Sequence, residues 1–312
     1  NQPTLSTALG TNIASLTFTS TTAATLTITG QTLNVTGAVT LNSIAGGNTA
    51  CTITGTGTLS CASVAVGLTS VAPTGSRTST MTSSISTFTI SGTLALNGTT
   101  DNGSGIRIVA PTFTQSGGTV SVDNITTTYT SLGTSGDAIT CTYTMSGTTP
   151  TLNFTGATPF TLSATPTNTF TLNSVGATVN YTNLGAQTVG FGSGNTSTLR
   201  YTNLGLTGSG TKTLAGFGTV SDALTVKAGV TLANNGAALS VNNALNLECG
   251  ATGSTISGTG VMTLAGNVTV TKITGTGAGA TISCPVDLPS TRTFTVADET
   301  TSVSDLSIIC SN

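Results

Sequence analysis

The 312-residue chain has no histidine and no tryptophan, and only 5% of its residues are charged. Each shortage excludes something. Without histidine, the usual nucleophile–base pairs and mixed Cys/His zinc sites cannot be assembled. Seven Lys and Arg stand against nine Asp and Glu. No basic stripe is therefore available to displace the counterions of a phosphate backbone, and nucleic acid is not an expected partner. The bases Arg77, Arg107, Arg200, Lys212, Lys227, Lys272 and Arg292 are scattered singly. No apolar run approaches the ~20 residues of a membrane-spanning helix, so no membrane span is expected. Disordered chains combine low hydrophobicity with high net charge. This one has a net charge of -2 and is rich in Thr, Val and Ile, which reads as ordered.

The six cysteines, Cys51, Cys61, Cys141, Cys249, Cys284 and Cys310, include no CxxC pair and have no histidine to complete a zinc site. They are read as disulfide candidates in an oxidising, extracellular setting, with buried free thiols as the alternative. Six cysteines allow about 15 connectivities, and no pairing is assigned. The chain begins Asn1-Gln2-Pro3 without Met, which fits an export signal already removed.

What the chain has in abundance is threonine, about a quarter of all residues, together with 39 glycines. From Thr25 onward short alternating segments succeed one another: TLTITG, QTLNVTG, AVTLN. In these, Leu26 and Ile28, Leu33 and Val35, Val39 and Leu41 alternate with Thr or Asn, and Gly30 and Gly37 punctuate. Alternation of period two marks half-buried strands, and a glycine at each break supplies the positive φ of a tight corner. The same grammar returns at 51–61, 87–98, 106–114, 119–130, 151–163, 223–232, 238–247 and 272–284.

The sequence also repeats itself. YTNLG at 181–185 recurs at 201–205, and GSGTKTLAGFGTV at 208–220 recurs as GTGVMTLAGNVTV at 258–270. Such offsets point to a stacked unit of roughly 20–25 residues. The expected fold is all-β, a right-handed parallel β-solenoid of about 13 to 15 rungs and on the order of 65–75 Å long. A donor-strand-complemented β-sandwich pilin is the alternative. Residues 1–20 form either the first rung or an extended arm exchanged between subunits. Residues 21–312 form the solenoid, with a sub-boundary near 145–170 where Pro150, Pro159 and Pro166 cluster.

Over 170–285 in particular, through YTNLGAQTV and YTNLGLTGSGTKTLAGFGTVSDALTVKAGVTLANNGAALSVNNALNL, the chain resembles the Thr/Gly/Asn-rich β-solenoid repeat proteins of bacterial cell surfaces, the autotransporter-like and filamentous-haemagglutinin-like ones. The resemblance implies a parallel β-helix at the cell surface, in adhesion or in an extracellular structural layer.

Little chemistry is expected. The acids are Asp101, Asp123, Asp137, Asp222, Glu248, Asp287, Asp298, Glu299 and Asp305, and only the last three lie close in sequence. They read as a solvated turn rather than the paired carboxylates of a polysaccharide-cleaving β-helix. GSGTKT at 208–213 and GTGAGA at 275–280 imitate phosphate and dinucleotide loops, yet strand-like sequence follows each where a helix is required. Tyr181 and Tyr201 read as a stacked ladder rather than a sugar platform. No catalytic residue, cofactor or metal is expected.

No charged residue precedes Arg77. Exposed β-edges are ordinarily defended by charge or Pro, so that end is either covered or an assembly surface. The expected role is a structural subunit of an extracellular homopolymeric filament, sheath or surface layer, partnered by itself through β-edges. The alternative is a monomeric surface adhesin or glycan-binding β-helix, partnered by surface glycans.

Overall fold

A computed structural model describes residues 3–19, 22–44, 47–68, 73–100, 108–131, 138–163, 168–194, 197–273, 277–297 and 305–309. Among them there are 28 strands and no helix. The strands stack in parallel as a β-solenoid of about ten turns. Parallel stacking replaces the sandwich alternative, whose sheets are antiparallel. Antiparallel contacts are local, at Thr99↔Val109 and Thr100↔Ile108 and at two isolated bridges, Ile44↔Gly47 and Gly250↔Ala278.

The chain divides into two compact units. The first comprises 1–153, 160–176 and 194–198. It opens with Thr4 beside Thr27 and Leu16 beside Val39. Its turns then lengthen: Ala24 lies beside Cys51, Thr49 beside Ser79, and Thr87 beside Thr119, each step longer than the one before. These long turns are why the chain makes about ten circuits rather than the larger number expected from the repeat. They are built from long strands that run on through the corners, Thr49–Leu68 and Arg77–Thr100. At one such corner Gly55 has φ +116°, and a Cβ there would stand 2.1 Å from the Ile28 carbonyl oxygen. Only glycine fits that corner.

Alternation decides what is inside. Leu33, Leu59, Phe88 and Val120 form one inward column, and Val39, Val64, Leu94 and Ile125 another; all are buried. Each contributes roughly 1.5–3 kcal/mol by leaving water. A third column runs Cys51, Met81, Phe113, Tyr143, Leu172. Its rings stack, with Phe113 and Tyr143 centroids 5.1 Å apart and Phe88 6.3 Å from Phe113. Beside it the column Ile53, Ser83, Gln115 turns polar. Gln115 is fully buried and satisfied: its amide donates to the carbonyls of Gly118 and Thr151, both at 2.9 Å, and its Oε1 accepts from the Tyr143 hydroxyl at 2.9 Å. A buried amide is tolerated only on such terms.

The second unit comprises 154–159, 177–193 and 199–312. Its steps are shorter than the long turns of the first unit and near the expected size, as in Val220↔Val241 and Leu232↔Ile256. Leu204, Leu224, Leu245, Val268 and Phe294 make one inward column, and Leu206, Val226, Leu247 and Val270 the next. A separate six-stranded sheet carries a column of Gln187, Lys212, Leu232, Ile256 and Ile282. Two polar residues thus sit at the head of an otherwise apolar column.

Candidate functional site

The first YTNLG copy is a corner, and it is fastened from inside the second unit. The Asn183 side chain accepts from Gly185 N at 2.7 Å and donates to the Thr155 carbonyl at 2.7 Å. Gln187 donates to the carbonyls of Phe154 and Gly156, at 2.9 and 2.7 Å. Lys212, also buried, directs Nζ at the Asn183 and Gly185 carbonyl oxygens, at 2.5 and 3.2 Å. Burial pulls its pKa down from 10.5 to about 8, because an ammonium partnered only by carbonyl dipoles is poorly repaid for lost water. The second YTNLG copy lies within the strand Ser197–Leu206, so equal sequence here does not mean equal structure.

The tyrosines of the two copies meet in the interior. Tyr181, Tyr201 and Phe191 form a chain of rings, the Tyr181–Tyr201 centroids 6.3 Å apart and Phe191–Tyr201 5.0 Å. Tyr143 is buried as well. Tyr129 is half-buried and donates its hydroxyl to the Thr169 carbonyl at 2.7 Å.

GSGTKT is a corner as expected. Gly208 and Gly210 have φ of +77° and +73°, and the chain enters the strand Gly210–Leu214 with no helix. GTGAGA lies partly outside the described residues, and its end enters the strand Ala280–Ser283.

The described acids sit in separate settings. Glu248 forms an ion pair with Lys227, and Asp222 accepts from the Asn243 amide at 2.6 Å. Asp123 and Asp287 are exposed. Of the Asp298, Glu299 and Asp305 cluster only Asp305 is described; Asp101 and Asp137 also lie outside the described residues. No group of three or more His, Cys, Asp or Glu suited to a metal ion occurs among the described residues.

The disulfide expectation is not met among the described residues. Cys51, Cys61, Cys141, Cys249 and Cys284 are buried with no disulfide joining them, and Cys310 lies outside the described residues. Alternation places Cys51 and Cys61 in inward columns, between apolar neighbours. Burial pushes the thiols of Cys51, Cys61 and Cys141 up to about 12, which leaves them unreactive.

Two surfaces remain. The first is the edge of the opening rung. Thr27 and Thr29 donate to the carbonyls of Pro3 and Leu5, at 3.1 and 3.0 Å. Because successive residues of a parallel strand bond to opposite sides, the backbone groups of Thr4 point away from the stack. The strands Thr4–Leu5 and Leu16–Phe18 each pair with the rung that follows.

The second surface is the outer face of the first unit, which sequence reasoning missed. Thr80, Thr112, Thr142 and Thr171 stand in one outward column. Thr25, Thr52, Thr82, Thr114 and Thr144 stand in the next, and Asn173 follows them. Thr140 and Thr169 extend the array to a third, their hydroxyls 2.9 Å apart. The signal was a T-x-T pair at 80–82, 112–114 and 142–144, with the pairs at 25–27 and 52–54 displaced by one column; the intervals are uneven, so no fixed period exposes it.

No membrane-length apolar helix occurs among the described residues. No protein-family model matches the chain, and no curated protein or solved structure matches it either.

Proposed function

We propose that the chain is a structural subunit of an extracellular homopolymeric filament, sheath or surface layer, joined to its neighbours through β-edges. The observation that carries this reading is the opening rung. Among the described residues its strands pair on one side, the backbone of Thr4 points outward, and no charged residue lies on it or between it and Arg77. An undefended edge of this kind accepts a strand from a second copy, and the backbone bonds so formed supply the affinity. The cell-surface β-solenoid resemblance points the same way. The glycan-binding alternative rested on aromatic side chains, and Tyr143, Tyr181 and Tyr201 are buried, so it has less to stand on.

The test is negative-stain electron microscopy and analytical ultracentrifugation over a concentration series, on the native chain and on Thr4→Pro. Proline removes the outward N–H and leaves the inward bonds of Pro3 and Leu5 in place. Concentration-dependent filaments or sheets that Thr4→Pro abolishes are the expected result. A monodisperse native monomer at high concentration would overturn the reading.

A further inference from the structure

The threonine array on the outer face of the first unit has a property that strand pairing alone does not require. Its columns are two residues apart along each strand and one rung apart between strands. Rungs are ~4.8 Å apart and two residues of a parallel strand advance ~6.6 Å, so the hydroxyls and methyls form a nearly rectangular lattice with those two repeats. Two such columns run side by side through Thr80 and Thr82, Thr112 and Thr114, Thr142 and Thr144. The lattice carries no charge.

It is also rigid. Each threonine alternates with a core side chain, Met81, Phe113 or Tyr143, that is fully buried, and β-branching restricts χ1. The side chains are ordered before any partner arrives, so little entropy is lost on contact. A rigid, neutral lattice of alternating methyl and hydroxyl groups has little to offer a charged partner. It is matched by a partner that is itself a neutral lattice of hydrogen-bonding oxygens with comparable repeats. Hexagonal ice has such repeats along its a and c axes. On such a lattice the hydroxyls are spaced to hydrogen-bond a layer of ordered water and the methyls to exclude disordered water between them.

We propose that this threonine face binds the surface of ice. The proposal is independent of the assembly reading, since it concerns a different surface and would hold for a monomer. It requires that the native chain slow ice recrystallisation and show thermal hysteresis, and that the effect reside in the array. The test compares the full native chain with Thr112→Lys/Thr142→Lys, which raises two long charged side chains from the lattice centre. Thr269→Lys, at an outward position of the second unit, is the control. Thr112→Val/Thr142→Val keeps side-chain shape and the β-branched backbone preference while deleting two hydroxyls, and serves if the lysine variant fails to fold. Circular dichroism establishes folding for each.

The expected result is ice-growth inhibition by the native chain and Thr269→Lys, loss of most of it in the double lysine variant, and partial loss in the double valine variant. Absence of recrystallisation inhibition and hysteresis in the native chain overturns the proposal. So does equal activity in folded array variants. Retention on crystalline cellulose or chitin with no effect on ice would instead assign the lattice to a polysaccharide surface and likewise overturn it.

Discussion

The hydroxyls of Tyr181 and Tyr201 lie 2.7 Å apart in the interior of the second unit, closed into a ring by Gly190. Tyr201 donates to the Gly190 carbonyl at 2.5 Å, and Gly190 N donates to the Tyr181 hydroxyl at 3.2 Å. Burial raises both phenols above their ordinary range, which keeps them neutral donors. Tyr201→Phe strips partners from both Tyr181 and Gly190, and leaving buried polar groups unpaired costs about 1–3 kcal/mol. Tyr181→Phe should cost a similar amount, and the double variant less than the sum, because the two changes break the same ring. Urea denaturation of the four proteins measures this; strict additivity would show that the hydroxyls act separately.

Lys212 gives its unit a pH dependence of definite sign. Folded, its ammonium deprotonates near 8; unfolded, near 10.5. Between those values the unfolded chain holds more protons, so this group makes stability rise with pH. Lys212→Met keeps the inward column filled and removes the titration. The native chain should therefore gain on the variant as pH rises from about 7 to about 9.5, read as the difference between their urea midpoints. A constant difference would place the ammonium in water.

The buried thiols pull the other way in the first unit. Cys51, Cys61 and Cys141 are held near 12 against 9.0 for an exposed thiol. Their contribution is intact below 9 and is lost as pH climbs toward 12, where the unfolded chain ionises first. Alkaline unfolding should be blunted in Cys61→Val, a substitution that suits its inward place beside Val35 and Ile90. In the native protein these three thiols should react with a thiol reagent only after denaturant is added.

Inside and outside of one strand should differ sharply. Phe113 lies between Phe88 and Tyr143, so Phe113→Ala should cost about 3–5 kcal/mol. Its neighbour Thr114, pointing outward, should tolerate Ala within about 0.5 kcal/mol. Comparable losses at both positions would mean the outer face is packed against something.

The class of fold was legible because alternation and glycine corners are local signals, and Leu33, Val35, Val39 and Leu41 declare their inward side without help from the rest of the chain. The approximate turn length was legible only in the second unit, where YTNLG recurs after 20 residues and TLAG after 50, even though the copies fall at different places in the turn. In the first unit the strands run through their corners, so no single period exists to be read. The threonine lattice was hidden for the same reason, since T-x-T pairs become neighbours only once each uneven turn has closed. The direction of the cysteines was not legible because spacing says nothing of it; Cys51 and Cys61 fall at inward positions among Leu, Ile and Met, where a thiol behaves as a small apolar side chain.

The changing length of turns in the first unit, rising from Thr4↔Thr27 to Thr87↔Thr119 and falling again to Cys141↔Phe170 with columns still aligned, separates two design variables that most folds entangle. Row alignment is set by the strands and girth by what lies between them. A segment grafted at a corner should enlarge the perimeter there and leave the rows above and below where they were. The chain is in that sense an addressable surface, on which a position can be named by row and column and altered without reference to how far the polypeptide travelled to reach it.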